Sequence, residues 1–191
     1  MHREMDYREV DRRETGPRCH VGGEELGEAA LTADPDLLAL RSAAMREKEA
    51  FLTYRHYGLT IADRRLSEFF HHEAMDEAGH FIELNRMLAR LDPVQAEEFR
   101  HHDLDFLVDG AMGDPRLSRW SSEAKVRDPE KWLDALKESI DLEYYALNIY
   151  QEDAARAVHP EVKELLTRIM NHEKDDLAAF IHELYRLLHR R

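Results

Sequence analysis

The sequence is poor in cysteine and has no long apolar run, and each absence excludes classes of protein. Cys19 is the single cysteine among 191 residues, so the chain can form neither an internal disulfide framework nor a metal site built from cysteine pairs. No segment approaches the roughly 18 uninterrupted apolar residues of a membrane-spanning helix. The first residues, MHREMDYREVDRRETG, are charged throughout and lack the apolar stretch of a secretory signal. We therefore expect a soluble protein of a reducing compartment, the cytoplasm.

Positive charge is scarce relative to negative charge. The 27 lysine and arginine residues against 40 aspartate and glutamate residues give a formal net charge of −13. Such a chain is poorly suited to binding nucleic acid or an anionic membrane, because both are themselves negatively charged. It is suited to attracting cations. We expect neither a nucleic acid nor a membrane as its partner.

Beyond a polar N-terminal segment, the apolar pattern predicts an all-α chain. Residues 1–34 mix charged residues with glycines, show no sustained periodicity and are interpreted as a flexible arm. In residues 35–191, apolar residues recur at helical spacing in four long segments, and strand-like alternation is nowhere sustained. Asp34, Asp128 and His159 each precede a proline, which is a typical signal for the start of a helix.

The four long helices are predicted to form two hairpins. Helices A and B cover about residues 36–91, with a break around Gly58 to Arg65, and helices C and D cover about residues 129–190. Residues 92–128 connect them and are predicted to contain a shorter helix that ends at about Val108, followed by an irregular segment.

The second hairpin repeats the first. Shifting the sequence by 96 positions superimposes identical residues without a gap. These matches are Glu47 on Glu143, Ala50 on Ala146, Tyr54 on Tyr150, Glu77 on Glu173, Leu88 on Leu184 and Arg90 on Arg186. Chance matching among helix-favouring residues does not readily give the same glutamate, alanine and tyrosine spacing twice. The repeat predicts two hairpins that bury their apolar faces against each other in a four-helix bundle.

The repeat also places four glutamates at one level of that bundle. Glu47 and Glu77 are equally far from residue 62 in the first predicted turn, and Glu143 and Glu173 are equally far from residue 158 in the second. Residues equally far from the turn of an antiparallel hairpin share a level, here about 22 Å from each turn and near the middle of helices roughly 40 Å long. We expect the four carboxylates to meet at mid-bundle.

One histidine and one aspartate extend this set of glutamates. His80 follows Glu77 by three residues, and Asp176 takes the equivalent place after Glu173, so each shares a helix face with its glutamate. Bare anions in an apolar interior are costly, and two divalent cations would resolve the conflict. Oxygen-rich ligands with one histidine and no thiolate favour two iron ions, with manganese as the alternative, over structural zinc. The predicted metal ligands are Glu47, Glu77, His80, Glu143, Glu173 and Asp176.

These motifs resemble those of a known family. A glutamate followed by alanine and tyrosine, paired with a helix bearing Glu-x-x-His or its Glu-x-x-Asp variant, occurs twice and resembles the rubrerythrin-like branch of the ferritin-like superfamily. The resemblance covers about residues 36–91 and 129–190. It implies a ferritin-like four-helix bundle in which residues 92–128 form a long crossover, with its short helix, between helices B and C.

The resemblance also implies roles for the ligands. Glu77 and Glu173 would bridge the two metals, Glu47 and His80 would complete one ion, and Glu143 with Asp176 would complete the other. Tyr54 and Tyr150 are similar to the residues that donate hydrogen bonds to ligand carboxylates.

The chain differs from rubrerythrins in three respects. It lacks the four-cysteine iron domain that feeds electrons to the site, so an external electron donor is needed. Ala146 stands where rubrerythrins carry a further glutamate, and Asp176 stands where histidine is commoner.

The expected function is a non-haem diiron or dimanganese oxidoreductase acting on hydrogen peroxide or dioxygen, with rubrerythrin-like peroxidase chemistry, in a homo-oligomer. The alternative is a ferroxidase that takes up Fe(II) for storage or delivery, because the stretch MLARLDPVQAEEF resembles encapsulin-associated ferritins. A third interpretation is a metal-free interaction bundle whose glutamates form solvated helix faces. The remaining histidines singled out, His71, His72, His101, His102 and His172, are assigned to the surface.

Overall fold

The computed structural model describes residues 34–93 and 125–189, and four helices make up this part of the chain. They are α1 (Pro35–Thr60), α2 (Arg64–Leu91), α3 (Pro129–Arg156) and α4 (Pro160–Leu188). The only β pairing among the described residues is an isolated bridge between Ile61 and Val126. The prediction of an all-helical chain with two hairpins is therefore confirmed. The predicted arm, apart from Asp34, and nearly all of the predicted crossover helix lie outside the described residues.

Aspartate side chains fix the starts of the first three helices. Asp34, Asp63 and Asp128 each accept a hydrogen bond from a backbone N–H in the first turn of the helix that follows, at 2.9, 2.9 and 3.1 Å. These bonds satisfy N–H groups that have no partner within the helix. The helix starts at Pro35, Pro129 and Pro160 agree with the proline signals in the sequence.

The start of α4 is held by a residue of α1. The buried carboxylate of Asp36 accepts hydrogen bonds from the backbone N–H groups of Val158 and His159, at 2.9 and 2.7 Å. The His159 ring nitrogen Nδ1 lies 2.7 Å from the same carboxylate. This contact ties the turn between α3 and α4 to the first turn of α1.

The break between α1 and α2 is shorter than predicted. The break was predicted around Gly58 to Arg65, but α1 continues to Thr60 and α2 starts at Arg64. A β-carbon at Gly58 would lie 2.9 Å from Nδ1 of His71, so glycine allows a close approach of the two helices there. The glycine is a packing feature of this hairpin and not a helix end.

The two ends of the bundle define how the hairpins are arranged. At one end, Val126 donates a hydrogen bond to the Thr60 carbonyl and accepts one from the Ala62 N–H, at 2.8 and 3.0 Å. This places the start of α3 beside the turn between α1 and α2. At the other end, Asp36 holds the turn between α3 and α4. Consequently α2 and α3 run in the same direction, and Asp92 and Lys125 lie at opposite ends of the bundle.

Apolar side chains fill the space between the helices on both sides of mid-bundle. On one side, Phe69 and Phe70 of α2 pack against Phe180 of α4 with ring centroids 5.0 and 5.8 Å apart, and Tyr54 of α1 lies 5.0 Å from Phe180. Leu40, Leu84 and Leu166 are among the fully buried residues of the same core. In the described part of the chain, no helix combines the length and apolar character that crossing a membrane requires.

Candidate metal centre

Four side chains from three helices meet in the interior of the bundle. Glu47 of α1, Glu77 and His80 of α2, and Glu173 of α4 each offer one nitrogen or oxygen atom, and these atoms all lie within 4.8 Å of one another. All four residues are buried, with exposures of 4% or less. The turns at Ile61 to Asp63 and Ala157 to His159 are centred on residues 62 and 158, so the symmetric spacing that predicted a common level is borne out by the helix bounds. This group could hold a metal ion.

The ring of His80 has one nitrogen directed at the carboxylates. Its Nδ1 lies 3.1 Å from Glu47, 3.5 Å from Glu77 and 3.3 Å from Glu173. Its Nε2 lies 3.0 Å from Nδ1 of His172 on α4. The sequence analysis placed His172 away from the ligand face. His172 is exposed, as expected for a surface residue, but it contacts His80 and so helps to orient the ring.

The two tyrosines connect the repeats to each other. Tyr54 of α1 donates a hydrogen bond from its hydroxyl to Glu143 of α3, and Tyr150 of α3 donates one to Glu47 of α1. Each tyrosine therefore serves the glutamate of the opposite repeat, and the two contacts are related by the internal symmetry. Burial, together with the nearby glutamates, raises the pKa of both phenols, which keeps them protonated as donors.

Glu143 and Asp176 lie beside the group of four and do not belong to it. Glu143 is 1% exposed and interacts with Glu173. Asp176 is only partly buried, and burial together with the charge of the nearby Glu143 raises the pKa of Asp176. The structure thus places all six predicted ligands near mid-bundle and brings the ligand atoms of four of them within 4.8 Å of one another.

The site contains more acidic groups than basic ones, and this shifts their pKa values. Burial raises the pKa of Glu143 to about 10, with the charge of Glu173 as the next cause, and burial with the charge of Glu47 raises that of Glu77 well above its ordinary value. Burial also opposes the charge on His80, but the interactions of its ring N–H with the carboxylates of Glu173 and Glu47 outweigh burial and raise the pKa of His80 to about 10. Without a bound cation, the site at neutral pH holds protons on these groups.

Two carboxylate oxygens at the centre accept no well-formed hydrogen bond. Oε2 of Glu77 and Oε1 of Glu173 are buried, and among the described residues only the weak contacts of His80 Nδ1, at 3.5 and 3.3 Å, reach them. A buried polar atom without a partner is costly, and a cation that accepts these lone pairs would remove that cost. The donor set, three glutamate oxygens and one imidazole nitrogen, suits a divalent transition metal.

A fifth buried glutamate, Glu73, was missed by the sequence analysis. It lies one helical turn before Glu77 on α2 and is 4% exposed. Its repeat equivalent is Ile169, so the repeat gives no signal for it. The spacing of four residues from Glu77, which places both on one helix face, is the signal that could have found it.

A cavity of about 410 Å³ between α1 and α3 reaches the glutamates from the surface. Glu47, Glu77, Glu143 and Glu173 line its inner part, and the exposed residues Glu49 and Glu138 line its outer part. Ala50 and Ala146, which are equivalent in the repeat, also line it. The alanine at the place of the further rubrerythrin glutamate therefore leaves space beside the ligands.

The comparisons with known proteins add no assignment. The chain matches no family model, no curated protein and no solved structure at a significant level.

Proposed function

We propose that this protein is a ferritin-like oxidoreductase that binds two iron ions, or two manganese ions, among the mid-bundle carboxylates and acts on hydrogen peroxide or dioxygen. One observation carries the proposal: Glu47, Glu77 and Glu173, three buried glutamates from three helices, surround Nδ1 of a single histidine. Glu77 and Glu173 each have a buried oxygen that accepts no well-formed hydrogen bond among the described residues. The parallel course of α2 and α3 supports the ferritin-like assignment, because it requires the long connection that this type of bundle has.

The residues have distinct roles in this proposal. Glu77 and Glu173 occupy the centre and would bridge the two ions. Tyr54 donates to one oxygen of Glu143, and Tyr150 donates to one oxygen of Glu47. The other oxygen of each carboxylate is left to bind metal. His172 holds Nε2 of His80, so that Nδ1 faces the carboxylates and would be the ring atom that binds metal. A bound pair of iron or manganese ions supplies the change in oxidation state that reduction of peroxide or dioxygen requires.

The cavity between α1 and α3 gives the oxidant its way in. Its inner wall consists of the carboxylates, and Ala50 and Ala146 leave room for a small molecule beside them. Peroxide and dioxygen are small enough to enter without displacing a side chain. The electrons come from an external donor, because one cysteine cannot supply a four-cysteine iron centre.

Metal content and peroxide consumption test the proposal together. Protein stripped with a chelator and reloaded with Fe(II) or Mn(II) should contain two ions per chain and should consume hydrogen peroxide when a reductant is supplied. Glu77→Gln should lose stoichiometric metal and turnover. Glu68→Gln, on the exposed face of α2 where Glu68 pairs with Arg64 of the same helix at 2.7 Å, should behave as wild type. Wild-type protein that binds neither metal stoichiometrically, or that binds metal without turnover, would refute the proposal.

Oxidation of Fe(II) for storage or delivery is a second candidate, favoured by the outer part of the cavity. The exposed carboxylates of Glu49 and Glu138 lie between solvent and the buried glutamates, where they would attract incoming cations. Iron storage needs a shell of many subunits or a separate container. Aerobic addition of Fe(II) distinguishes the candidates: an iron carrier should take up many ions per chain into a large particle, whereas a peroxidase should stop at two ions.

A further inference from the structure

The register between α2 and α4 places Glu73 opposite Asp176. Two salt bridges fix this register: Arg65 lies 3.0 Å from Glu183, and Glu83 lies 2.6 Å from Arg168. Between these points the antiparallel helices pair residue 73 of α2 with about residue 176 of α4. Burial is the largest cause that raises the pKa of Glu73, and the charge of Asp176 is the next, as expected for such neighbours.

Glu73 is buried without a partner for one of its oxygens. The residue is 4% exposed, and its Oε2 has no hydrogen-bond partner among the described residues. The charges around it are all negative: Asp176 of α4, Asp76 of α2 and Glu143 of α3. Together with burial, which is the larger cause, they raise the pKa of Glu73 to about 8. A buried carboxyl directed into a cluster of carboxyls needs a cation or a proton.

We propose that Glu73 is a ligand of the second metal ion, which it holds together with Glu143 and Asp176, while Glu47 and His80 hold the first. This inference rests on the proposed two-metal function. It explains why a short aspartate can stand at the place of the commoner histidine, because a second carboxylate from the facing helix supplies the missing ligand. The equivalent place beside His80 is taken by Ile169, which is fully buried and apolar.

The two halves of the site therefore differ in chemistry although the helices repeat. The first half combines Glu47 with an imidazole nitrogen, and the second contains only carboxylate oxygens. Oxygen ligands suit hard ions such as Mn²⁺, and imidazole also accepts softer ions. We expect the two ions to bind with different affinities, and loss of Glu73 to affect only one of them.

Titration with Mn²⁺ alone, followed by electron paramagnetic resonance of the free ion, measures both binding steps. Wild-type protein should bind two Mn²⁺ per chain. Glu73→Gln keeps the shape of the side chain. The variant should bind one Mn²⁺ as wild type does, and the other about 10- to 100-fold more weakly, as found for changes at metal sites. Asp176→Ala should weaken the same ion, so that the double variant still holds the first. Glu68→Gln is the control on the exposed face of α2.

The outcomes separate this inference from the proposed function. If wild-type protein and the Glu73→Gln variant both bind two Mn²⁺ with the same affinities, Glu73 is not a ligand, and the two-metal function still stands. Wild-type protein that binds no stoichiometric metal would overturn the two-metal function itself. Thermal melts of the metal-free proteins check the fold: Glu73→Gln keeps the shape of the side chain and removes a carboxyl whose charge burial opposes, so it should melt at no lower temperature than wild type.

Discussion

At the scale of single residues, the tyrosine hydroxyls connect the two repeats at the metal centre. Tyr54 donates to Glu143 and Tyr150 donates to Glu47, so each bond crosses from one hairpin to the other. Bonds of this kind hold a carboxylate in the orientation that a metal needs. The symmetry of the pair predicts that the two hydroxyls contribute alike.

We predict that Tyr54→Phe and Tyr150→Phe each lower metal affinity by about 10-fold, because the ligand carboxylate loses the donor that fixes one of its oxygens. Competition with a chromogenic chelator measures the change. Tyr57→Phe is the matched control on α1, since Tyr57 donates to the exposed Glu138 and not to a predicted ligand. The tyrosines do not orient the ligands if metal affinity is unchanged in both Tyr54→Phe and Tyr150→Phe, or if Tyr57→Phe lowers it by the same factor.

The internal repeat allowed part of the site to be predicted from the sequence. Glu47, Glu77 and Glu173 with His80 form one group as the spacing indicated, and the tyrosines lie against glutamates. Glu73 and the contact of His172 with His80 could not be predicted in the same way. Glu73 has no equivalent glutamate in the second repeat and shows only in its helical spacing from Glu77, whereas the contact of His172 depends on the register between α2 and α4, which long-range packing sets.

At the scale of the helices, two glycines have opposite roles. Gly58 is buried in the last turns of α1, and a β-carbon there would approach Cγ and Nδ1 of His71 to 3.0 and 2.9 Å. Gly79 lies exposed near the middle of α2, and a β-carbon there meets none of the described atoms within 4 Å. Only the first glycine is required by packing.

We predict that Gly79→Ala raises the free energy of unfolding by about 0.5 to 1 kcal/mol, because alanine loses less backbone freedom on forming a helix than glycine does. Gly58→Ala should give a smaller gain or a loss, since the new methyl group must displace the His71 ring. Urea unfolding of both metal-free variants measures the difference. A larger gain for Gly58→Ala than for Gly79→Ala would show that the contact with His71 is not limiting.

Helix boundaries illustrate which local signals are reliable here. An aspartate or histidine before proline marked the starts of α1, α3 and α4 correctly, because proline in the first turn gives up no helical hydrogen bond. The predicted break around Gly58 to Arg65 was too long, because the role of Gly58 depends on the neighbouring helix. A glycine without a following turn signal is as compatible with close helix packing as with a break.

At the scale of the whole molecule, the arrangement of the hairpins followed from the repeat. Neither hairpin can bury its apolar face alone, so two copies must pack together, and the spacing about residues 62 and 158 set the common level of the glutamates. The direction of α3 relative to α2 was implied by family resemblance and not by the pattern itself. Physically it is fixed by contacts at the two ends, through Val126 and Asp36.

The buried acids also make the stability of the whole metal-free molecule depend on pH. Burial, with the charge of Asp176 or Glu143 as the next cause, raises the pKa of Glu73 from 4.5 to about 8 and that of Asp176 from 3.8 to about 7. The folded chain therefore keeps protons that the unfolded chain has already released. Their stabilising contribution is complete below the unfolded pKa values and is lost as the pH rises through the folded ones.

We predict that the free energy of unfolding of the metal-free protein falls between about pH 4.5 and pH 8, with a slope of about 1.4 kcal/mol per pH unit for each extra proton that the folded state holds. Urea unfolding of chelator-treated protein at several pH values measures this slope. Glu73→Gln removes one of the titrating groups and should flatten it. With Mn²⁺ present the dependence should reverse, because the ion displaces these protons and its affinity rises with pH. Metal-free protein whose stability is constant or increases from pH 5 to pH 8 would show that these carboxyls do not retain protons in the folded bundle.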